Sequence, residues 1–199
     1  GLSQYVVSLR ARGYQVEGAD LSIETIKRVK YRFPFLPLFA ADVTRLPVSD
    51  ESYNGYISLG VVEHRKEGPE PYLHSAFDVL KSGGIAIISV PHFSLLRSIK
   101  MSLRFRKEID EKPSQMEFYQ YAFTVSEFRA LIEAAGFRYL DRGYIDRLKG
   151  VRDEYSTFRR WYDKLENRWI KHLIWLLLEF FPCSGRLFGH MQIVVAKKG

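Results

Sequence analysis

Two aspartates stand where short apolar segments, predicted to be strands, come to an end. Asp20 closes the segment at residues 14–21, and Asp42 closes the segment at residues 38–43. In a parallel sheet covered by helices, ligands bind outside the carboxyl ends of the strands, where an acidic residue can accept hydrogen bonds from a nucleotide ribose. An aspartate there can equally cap a helix or a turn. For each aspartate, both ligand binding and a capping role stay open.

Two histidines and a tyrosine are the candidates for catalysis by proton transfer. His64 and His92 each follow a predicted strand, so both should project from the same edge of the sheet as the aspartates. Tyr119 lies in the aromatic segment 118–123, where it is the candidate for substrate contact. The structural alternatives are a solvated loop position for His92 and packing of the aromatic segment against the next helix.

Helices and short strands alternate along the chain. Apolar spacing predicts a first helix that ends at Gly13, Ser22 is placed to cap the second helix, and Gly83-Gly84 predicts a turn. Further helices are predicted at residues 71–81 and 126–135, and strands at residues 14–21, 38–43, 56–62, 85–90, 137–144 and 191–196. Strand segments that are continuously apolar and alternate with helices predict an α/β fold with a doubly wound, mostly parallel sheet.

A long helical insertion precedes the last predicted strand. Within residues 153–189, the run 173–181 is apolar on more than one face and follows several basic residues. The insertion is larger than the loops that such folds need. Three interpretations stay open: it covers the core, it forms a homodimer contact, or residues 153–182 lie at a membrane surface near a lipid-linked substrate.

The composition of the 199 residues fits one globular domain that is 46% hydrophobic. Cys183 is the single cysteine and no close cluster of histidines accompanies it, so no disulfide and no metal are expected. A cytoplasmic location is favoured, and a peripheral contact with a membrane is a further possibility. The apolar run at 173–182 is far shorter than the about 20 residues that span a bilayer. The net charge of +7 favours an anionic substrate, nucleic acid or a membrane surface.

Four stretches occur together in one order: GYQVEGADLS at residues 13–22, ADV at 41–43 with Leu-Pro at 46–47, SLGVVEH at 58–64 and VLKSGG at 79–84. With this combination the chain resembles the class I S-adenosylmethionine-dependent methyltransferases, of the type 11-like group. The resemblance implies a Rossmann-like fold, methyl transfer as the activity and S-adenosylmethionine as the cofactor. It also favours a structural role for His64, because the Glu-His pair at 63–64 occurs in the family regardless of substrate.

The resemblance implies roles for particular residues on the nucleotide side. Asp20, with Leu21 beside it, would bind the ribose hydroxyls of the cofactor. Asp42 would accept a hydrogen bond from the adenine amino group, with Val43 beside the ring.

On the methionine side, the resemblance implies that Leu59, Gly60 and Val61 line the amino-acid portion of the cofactor. Gly1 would supply one glycine of the family's glycine-rich loop, of which little else is present. Asn54 and Ser82 depart from the aspartate and proline that are usual in the family, and both changes should be tolerated.

In the family the first strand lies in the middle of the sheet, and here it would lie upstream of Gly1. We therefore expect residues before Gly1 in the natural protein. The expected organisation is one domain over residues 1–199 that lacks this strand, with a cofactor-binding half at 1–91, a substrate-side half at 92–152 and 190–199, and the helical insertion at 153–189.

The leading functional hypothesis is methyl transfer to a small-molecule or lipid-linked acceptor. A nucleic-acid methyltransferase is the first alternative because of the positive charge, although the chain has no appended RNA-binding module and no Asn-Pro-Pro-aromatic motif. A non-catalytic, cofactor-binding relative is the second alternative.

Overall fold

Two sheets form the framework of the computed structural model, which describes residues 2–99, 120–181 and 183–199. In the smaller sheet, β1 (Gly18–Asp20) pairs in parallel with β2 (Leu38–Ala40). The larger sheet contains β3 (Tyr53–Leu59), β4 (Leu80–Pro91), β5 (Phe137–Ile145) and β6 (Met191–Lys198), in the spatial order β3–β4–β6–β5.

Strand direction in the larger sheet is mixed. β3 and β4 are parallel, and β6 is antiparallel to both of its neighbours, β4 and β5. It follows that β3, β4 and β5 all run in one direction and only β6 runs against them. The predicted α/β, Rossmann-like fold with a mostly parallel sheet is confirmed.

Outside the insertion, the helices that accompany the strands include α1 (Leu2–Arg10), α2 (Ile23–Arg32), α3 (Glu70–Val79) and α4 (Val125–Ala134). Residues 95–99 are also helical. As predicted, Ser22 caps α2, since its hydroxyl accepts a hydrogen bond from the Thr25 amide at 3.1 Å. The Thr124 hydroxyl and the Glu127 carboxylate cap α4 reciprocally.

The helical insertion begins earlier than expected and is divided into short helices: α5 (Arg147–Glu154), α6 (Ser156–Lys164), α7 (Arg168–Phe180) and α8 (Ser184–Phe188). Tyr155 has an extended backbone and separates α5 from α6, while Asn167 caps α7 through its side-chain oxygen. The run from Asp153 to α7 is thus not one continuous helix.

The strand bounds differ from prediction: β1 and β2 are shorter than expected, and β3 and β4 are displaced or extended. β3 begins at Tyr53, because Tyr53 pairs with Leu80, and it ends at Leu59 before a turn of 3-10 helix at Val62–His64. The predicted turn at Gly83 falls inside β4, where Ile85 pairs with Gly55, so residues 81–84 bulge out of the ladder.

The apolar interior has two parts. The main core packs α3 and α4 against the larger sheet; its fully buried side chains include Leu73, Leu80, Ile88, Phe128, Ile132 and Val194. A smaller cluster of Val6, Ile26 and Leu38 joins α1 and α2 to the smaller sheet.

No strand ladder joins the two sheets within the described parts of the chain. The Tyr53 hydroxyl donates a hydrogen bond to the Glu17 carboxylate at 2.8 Å and so links them through side chains. The expected strand upstream of Gly1 stays a prediction.

Candidate functional site

Asp20 ends β1 and serves a structural purpose with one carboxylate oxygen. Its Oδ1 accepts a hydrogen bond from the Ser22 amide at 2.9 Å, and the Ala41 amide donates to its main-chain carbonyl at 3.0 Å. Within the described residues, Oδ2 accepts no hydrogen bond. The capping and the binding interpretation are therefore compatible, because each uses a different oxygen.

Asp42 lies two residues beyond the end of β2, next to Asp20 at the same edge. Its Oδ1 accepts hydrogen bonds from the Thr44 amide at 2.9 Å and the Thr44 hydroxyl at 2.8 Å. These bonds, with smaller contributions from Arg65 and Arg45, lower the pKa of the Asp42 carboxyl. An exposed, ionised acceptor results, and it lines a cavity of about 390 Å³ together with Arg65 and Pro71.

Two apolar residues accompany the aspartates. Leu21 is 77% exposed beside Asp20, and Val43 is half-buried beside Asp42. Exposed apolar surface next to hydrogen-bond acceptors suits a ligand that has both a flat apolar ring and hydrogen-bond donors.

The chain turns sharply where β3 ends. Leu59 is half-buried, and Gly60 has a φ of +70°, a conformation that favours glycine. The Gly60 amide donates to the Ser89 carbonyl of β4 at 3.2 Å, and Val61 is exposed. The structure thus places residues 59–61 at the carboxyl edge, in the turn where the resemblance puts the methionine portion.

Glu63 was not among the predicted site residues, yet it has an unusual environment. Its side chain is 2% exposed, and Oε2 has no hydrogen-bond partner in the described structure. A Cβ atom built on Gly60 would lie 3.6 Å from Oε1, so the carboxyl group sits directly beneath the Gly60 turn. Burial raises the pKa of the Glu63 carboxyl. The signal in the sequence was an acidic residue inside the apolar run that follows β3.

The two histidines differ in exposure, contrary to the expectation that both project from the edge. The His64 side chain is 44% exposed, with its Nε2 atom 3.9 Å from Glu63 Oε1. His92 is 3% exposed, and its ring centroid lies 4.9 Å from that of Tyr144. Burial, opposed by the backbone of Arg186, lowers the pKa of the His92 imidazole. The expected orientation of His92 is wrong because α8, which contains Arg186, closes over it.

Of the other predicted site residues, Gly1 and Tyr119 lie outside the described residues, as does Phe118. Phe123 is buried in the main core against Phe128, with ring centroids 5.5 Å apart. Its position agrees with the packing interpretation of the aromatic segment. Tyr121 is partly exposed, and its hydroxyl donates to the Lys66 carbonyl at 2.7 Å.

The residues at the carboxyl edge fit a nucleoside cofactor. Asp20 and Asp42 each offer a carboxylate oxygen to a hydroxyl or amino donor, and Gly60 adds no side chain to the turn after β3. Within the described ranges, no group of three or more His, Cys, Asp or Glu side chains is placed to hold a metal ion.

Comparison with known proteins agrees with this geometry. Residues 1–88, which include Asp20, Asp42 and Gly60, match the methyltransferase domain family. The fold is shared with an S-adenosylmethionine-dependent methyltransferase from Archaeoglobus fulgidus, at 16% identity over 98% of this chain and 81% of that one, with a TM-score of 0.61.

Two further solved methyltransferases share the fold. One from Methanosarcina mazei is 16% identical over 96% of this chain and 85% of its own, with a TM-score of 0.60. One from Thermotoga maritima is 15% identical over 99% of this chain and 77% of its own, with a TM-score of 0.56. No curated protein matches the chain significantly.

Proposed function

We propose that this chain, which is a class I S-adenosylmethionine-dependent methyltransferase, methylates a small-molecule or lipid-linked acceptor. The proposal rests on where the helical insertion joins the sheet. Met191 at the start of β6 pairs with both Pro91 and Ile145, the last residues of β4 and β5. The insertion therefore leaves and re-enters the sheet at the carboxyl edge, where it can border an acceptor.

In the proposed complex, each residue of the edge has one task. The Asp20 carboxylate accepts from the ribose hydroxyls, and the Asp42 carboxylate accepts from the adenine amino group. Leu21 and Val43 provide apolar contact on the nucleotide side. The backbone turn at 59–61 holds the methionine portion. The cofactor supplies an electrophilic methyl group, and the protein aligns it with the acceptor.

Removal of a proton from an oxygen or nitrogen acceptor requires a base within reach. Of the two described candidates, His64 suits this task better because its side chain is 44% exposed, whereas His92 is buried. His92 would instead act by holding Tyr144 and the insertion in place.

The cofactor assignment is tested by calorimetric titration of the protein with S-adenosylhomocysteine. Asp20→Asn keeps a side-chain oxygen that can accept a hydrogen bond from the Ser22 amide but removes the charge, so the turn after β1 should keep its structure. A hydrogen bond to a charged group contributes about 1.5–3 kcal/mol, so we expect binding about 10-fold to 100-fold weaker. Asp50→Asn makes the same chemical change at an exposed turn before β3 and should leave binding unchanged.

Undiminished binding by Asp20→Asn would overturn the role of Asp20, and no binding by the unmodified protein would overturn methyl transfer as its activity. The acceptor is sought by transfer of a labelled methyl group to a lipid extract, an aqueous metabolite extract and total RNA, each supplied separately. Label in either of the first two supports the proposal. Label confined to RNA assigns the chain to nucleic-acid methylation instead.

A further inference from the structure

One side of α7 is apolar and faces solvent. Trp169, Leu173, Leu177 and Phe180 recur at spacings of three or four residues and so lie on one side of the helix. Their exposed fractions are 83%, 55%, 60% and 73%. We call these four residues the α7 stripe.

The opposite side of α7 holds the helix to the protein through polar contacts. The Glu179 carboxylate pairs with the Arg147 guanidinium of α5 at 2.6 Å, and the Lys171 ammonium lies 5.3 Å from the centre of the Tyr162 ring of α6. Ile174 and Leu178 are half-buried on this same side, so α7 is apolar on two sides and only the α7 stripe is left facing solvent. Neither α6 nor α7 contains a buried residue, so the interpretation that the insertion covers the core does not hold for them.

Basic residues precede the α7 stripe along the chain. Residues 147–189 contain nine Lys and Arg against five Asp and Glu, an excess of four out of the net +7 of the chain. On α6 and at the start of α7, four exposed cations form no ion pair with another described residue: Arg159, Arg160, Lys164 and Arg168. The contact of Lys171 with Tyr162 packs α6 against α7, so these charges lie on α7 itself and on the helix next to it.

We propose that α7 lies in the surface of an anionic lipid bilayer, with the stripe at the boundary of the acyl chains and the four cations against lipid phosphates. Exposed Trp, Leu and Phe flanked by Arg and Lys is the arrangement that interfacial helices use. No described helix is long and apolar enough to cross a membrane. An anionic bilayer supplies charge complementary to these cations, whereas a second copy of the chain carries the same excess of positive charge.

The proposal does not depend on methyl transfer, and its test requires no activity. The full chain is mixed with vesicles of phosphatidylcholine alone or of phosphatidylcholine with phosphatidylserine, and the bound fraction is measured by sedimentation. We expect binding to the vesicles that contain phosphatidylserine, and weaker binding as salt rises. Leu173→Glu should reduce this binding about tenfold or more, because it replaces an inserted apolar side chain by an anion.

Phe35→Glu is the matched control, since Phe35 is 94% exposed in the loop before β2 and lies in a different part of the sequence. It should bind vesicles like the unmodified chain, and both variants should keep the circular dichroism spectrum and the affinity for S-adenosylhomocysteine. Arg159→Gln with Arg160→Gln should lower binding to phosphatidylserine vesicles severalfold. Equal binding by Leu173→Glu and the unmodified chain would overturn the proposal.

The α7 stripe could alternatively contact another copy of the chain, and this alternative is tested separately. Light scattering on the chain in the absence of lipid measures its molar mass. A monomer is expected. A dimer that Leu173→Glu converts to monomer, together with no binding to either kind of vesicle, would overturn the membrane proposal and assign the α7 stripe to self-association.

Discussion

Gly60 shapes the candidate methionine-binding turn through its backbone conformation. A residue with a Cβ atom pays about 1–2 kcal/mol to adopt the left-handed region. The added Cβ would be in ordinary contact with Glu63 Oε1 at 3.6 Å and Met191 Cε at 3.8 Å, so strain rather than collision decides the outcome. We expect Gly60→Ala to lower the free energy of unfolding by about 1 kcal/mol and to weaken binding of S-adenosylhomocysteine.

Gly13→Ala is the control for this prediction. Gly13 also has a positive φ, of +86°, but an added Cβ would meet no atom within 4 Å, and the residue lies in the turn after α1. Urea unfolding should give similar losses of stability for both variants, and calorimetry should show weakened binding only for Gly60→Ala. Equal affinities in the two variants would contradict a role for the Gly60 turn in binding.

Glu63 should make stability depend on pH in a direction opposite to that of most carboxyl groups. Because burial raises its pKa in the folded state, the group contributes stability below the ordinary glutamate pKa of about 4.3, and this contribution is lost as pH rises through the higher folded pKa. Glu63→Gln cannot ionise. The melting temperature of the variant minus that of the unmodified protein should therefore rise between pH 5 and pH 8, by differential scanning calorimetry.

Glu67→Gln is the matched control, because Glu67 is exposed and pairs only at the surface with Arg65. Its melting temperature should follow that of the unmodified protein closely over the same range. If the melting temperature of Glu63→Gln minus that of the unmodified protein stayed constant or fell with rising pH, the charge on the buried carboxyl group would not destabilise the folded protein.

The sequence was informative about residues whose position follows from the end of a strand. Asp20 and Asp42 lie where the apolar segments predicted them, because a polar residue that follows a buried strand emerges at the sheet edge. His92 follows the same rule along the backbone, but its side chain is covered by α8, almost a hundred residues later. Burial of that kind comes from contacts distant in sequence, which local spacing does not contain.

Among the helices, α4 has the most complete N-terminal cap. The Thr124 hydroxyl accepts from the Glu127 amide at 3.3 Å, and the Glu127 carboxylate accepts from the Thr124 amide at 2.8 Å. The helix carries Phe128 and Ile132 into the main core, so its start also fixes the register of that packing. We expect Thr124→Ala to cost about 1 kcal/mol in the free energy of unfolding.

Urea unfolding monitored by fluorescence measures this loss. Thr124→Ser keeps the hydroxyl and should retain most of the stability. The neighbouring Ser126→Ala should cost less than Thr124→Ala, because the Ser126 hydroxyl contacts the Thr124 hydroxyl at 3.2 Å but bonds to no helix amide. Comparable losses in Thr124→Ala and Thr124→Ser would assign the effect to the Thr124 methyl group instead of the cap.

The presence of a strand was easier to predict from the sequence than the residues at which it begins and ends. The six predicted strand segments all contain a strand, because apolar runs bounded by glycine, proline and polar turns have few alternatives in a folded chain. β3 nevertheless begins three residues early, since Tyr53 gains a partner in Leu80, and Gly83 bulges within β4 instead of separating it from α3. The antiparallel placement of β6 between β4 and β5 was also not predicted, because strand order depends on pairing and not on composition.

At the scale of the molecule, the proposed cofactor site is divided between two cores. Asp20 ends β1 and Asp42 follows β2 in the smaller sheet, which packs on the cluster of Val6, Ile26 and Leu38, whereas Gly60 follows β3 of the larger sheet. A three-residue apolar cluster excludes far less surface from water than the main core does, so the smaller unit should open at a lower free energy. A ligand that contacts both units would then oppose that opening.

Hydrogen exchange measured by mass spectrometry tests this coupling. Without ligand, amides of β1 and β2 should exchange faster than those of β4 and β6, whose ladders lie at the centre of the larger sheet. Saturating S-adenosylhomocysteine stabilises the bound state by about 2.7 kcal/mol at one hundred times its dissociation constant, so exchange of β1 and β2 should slow by up to about 100-fold. The Asp20→Asn variant should show less slowing at the same ligand concentration. If the ligand protected β6 and left β1 unchanged, the nucleotide would have to bind on the larger sheet alone, and Asp20 would be only the residue that caps the β1 turn.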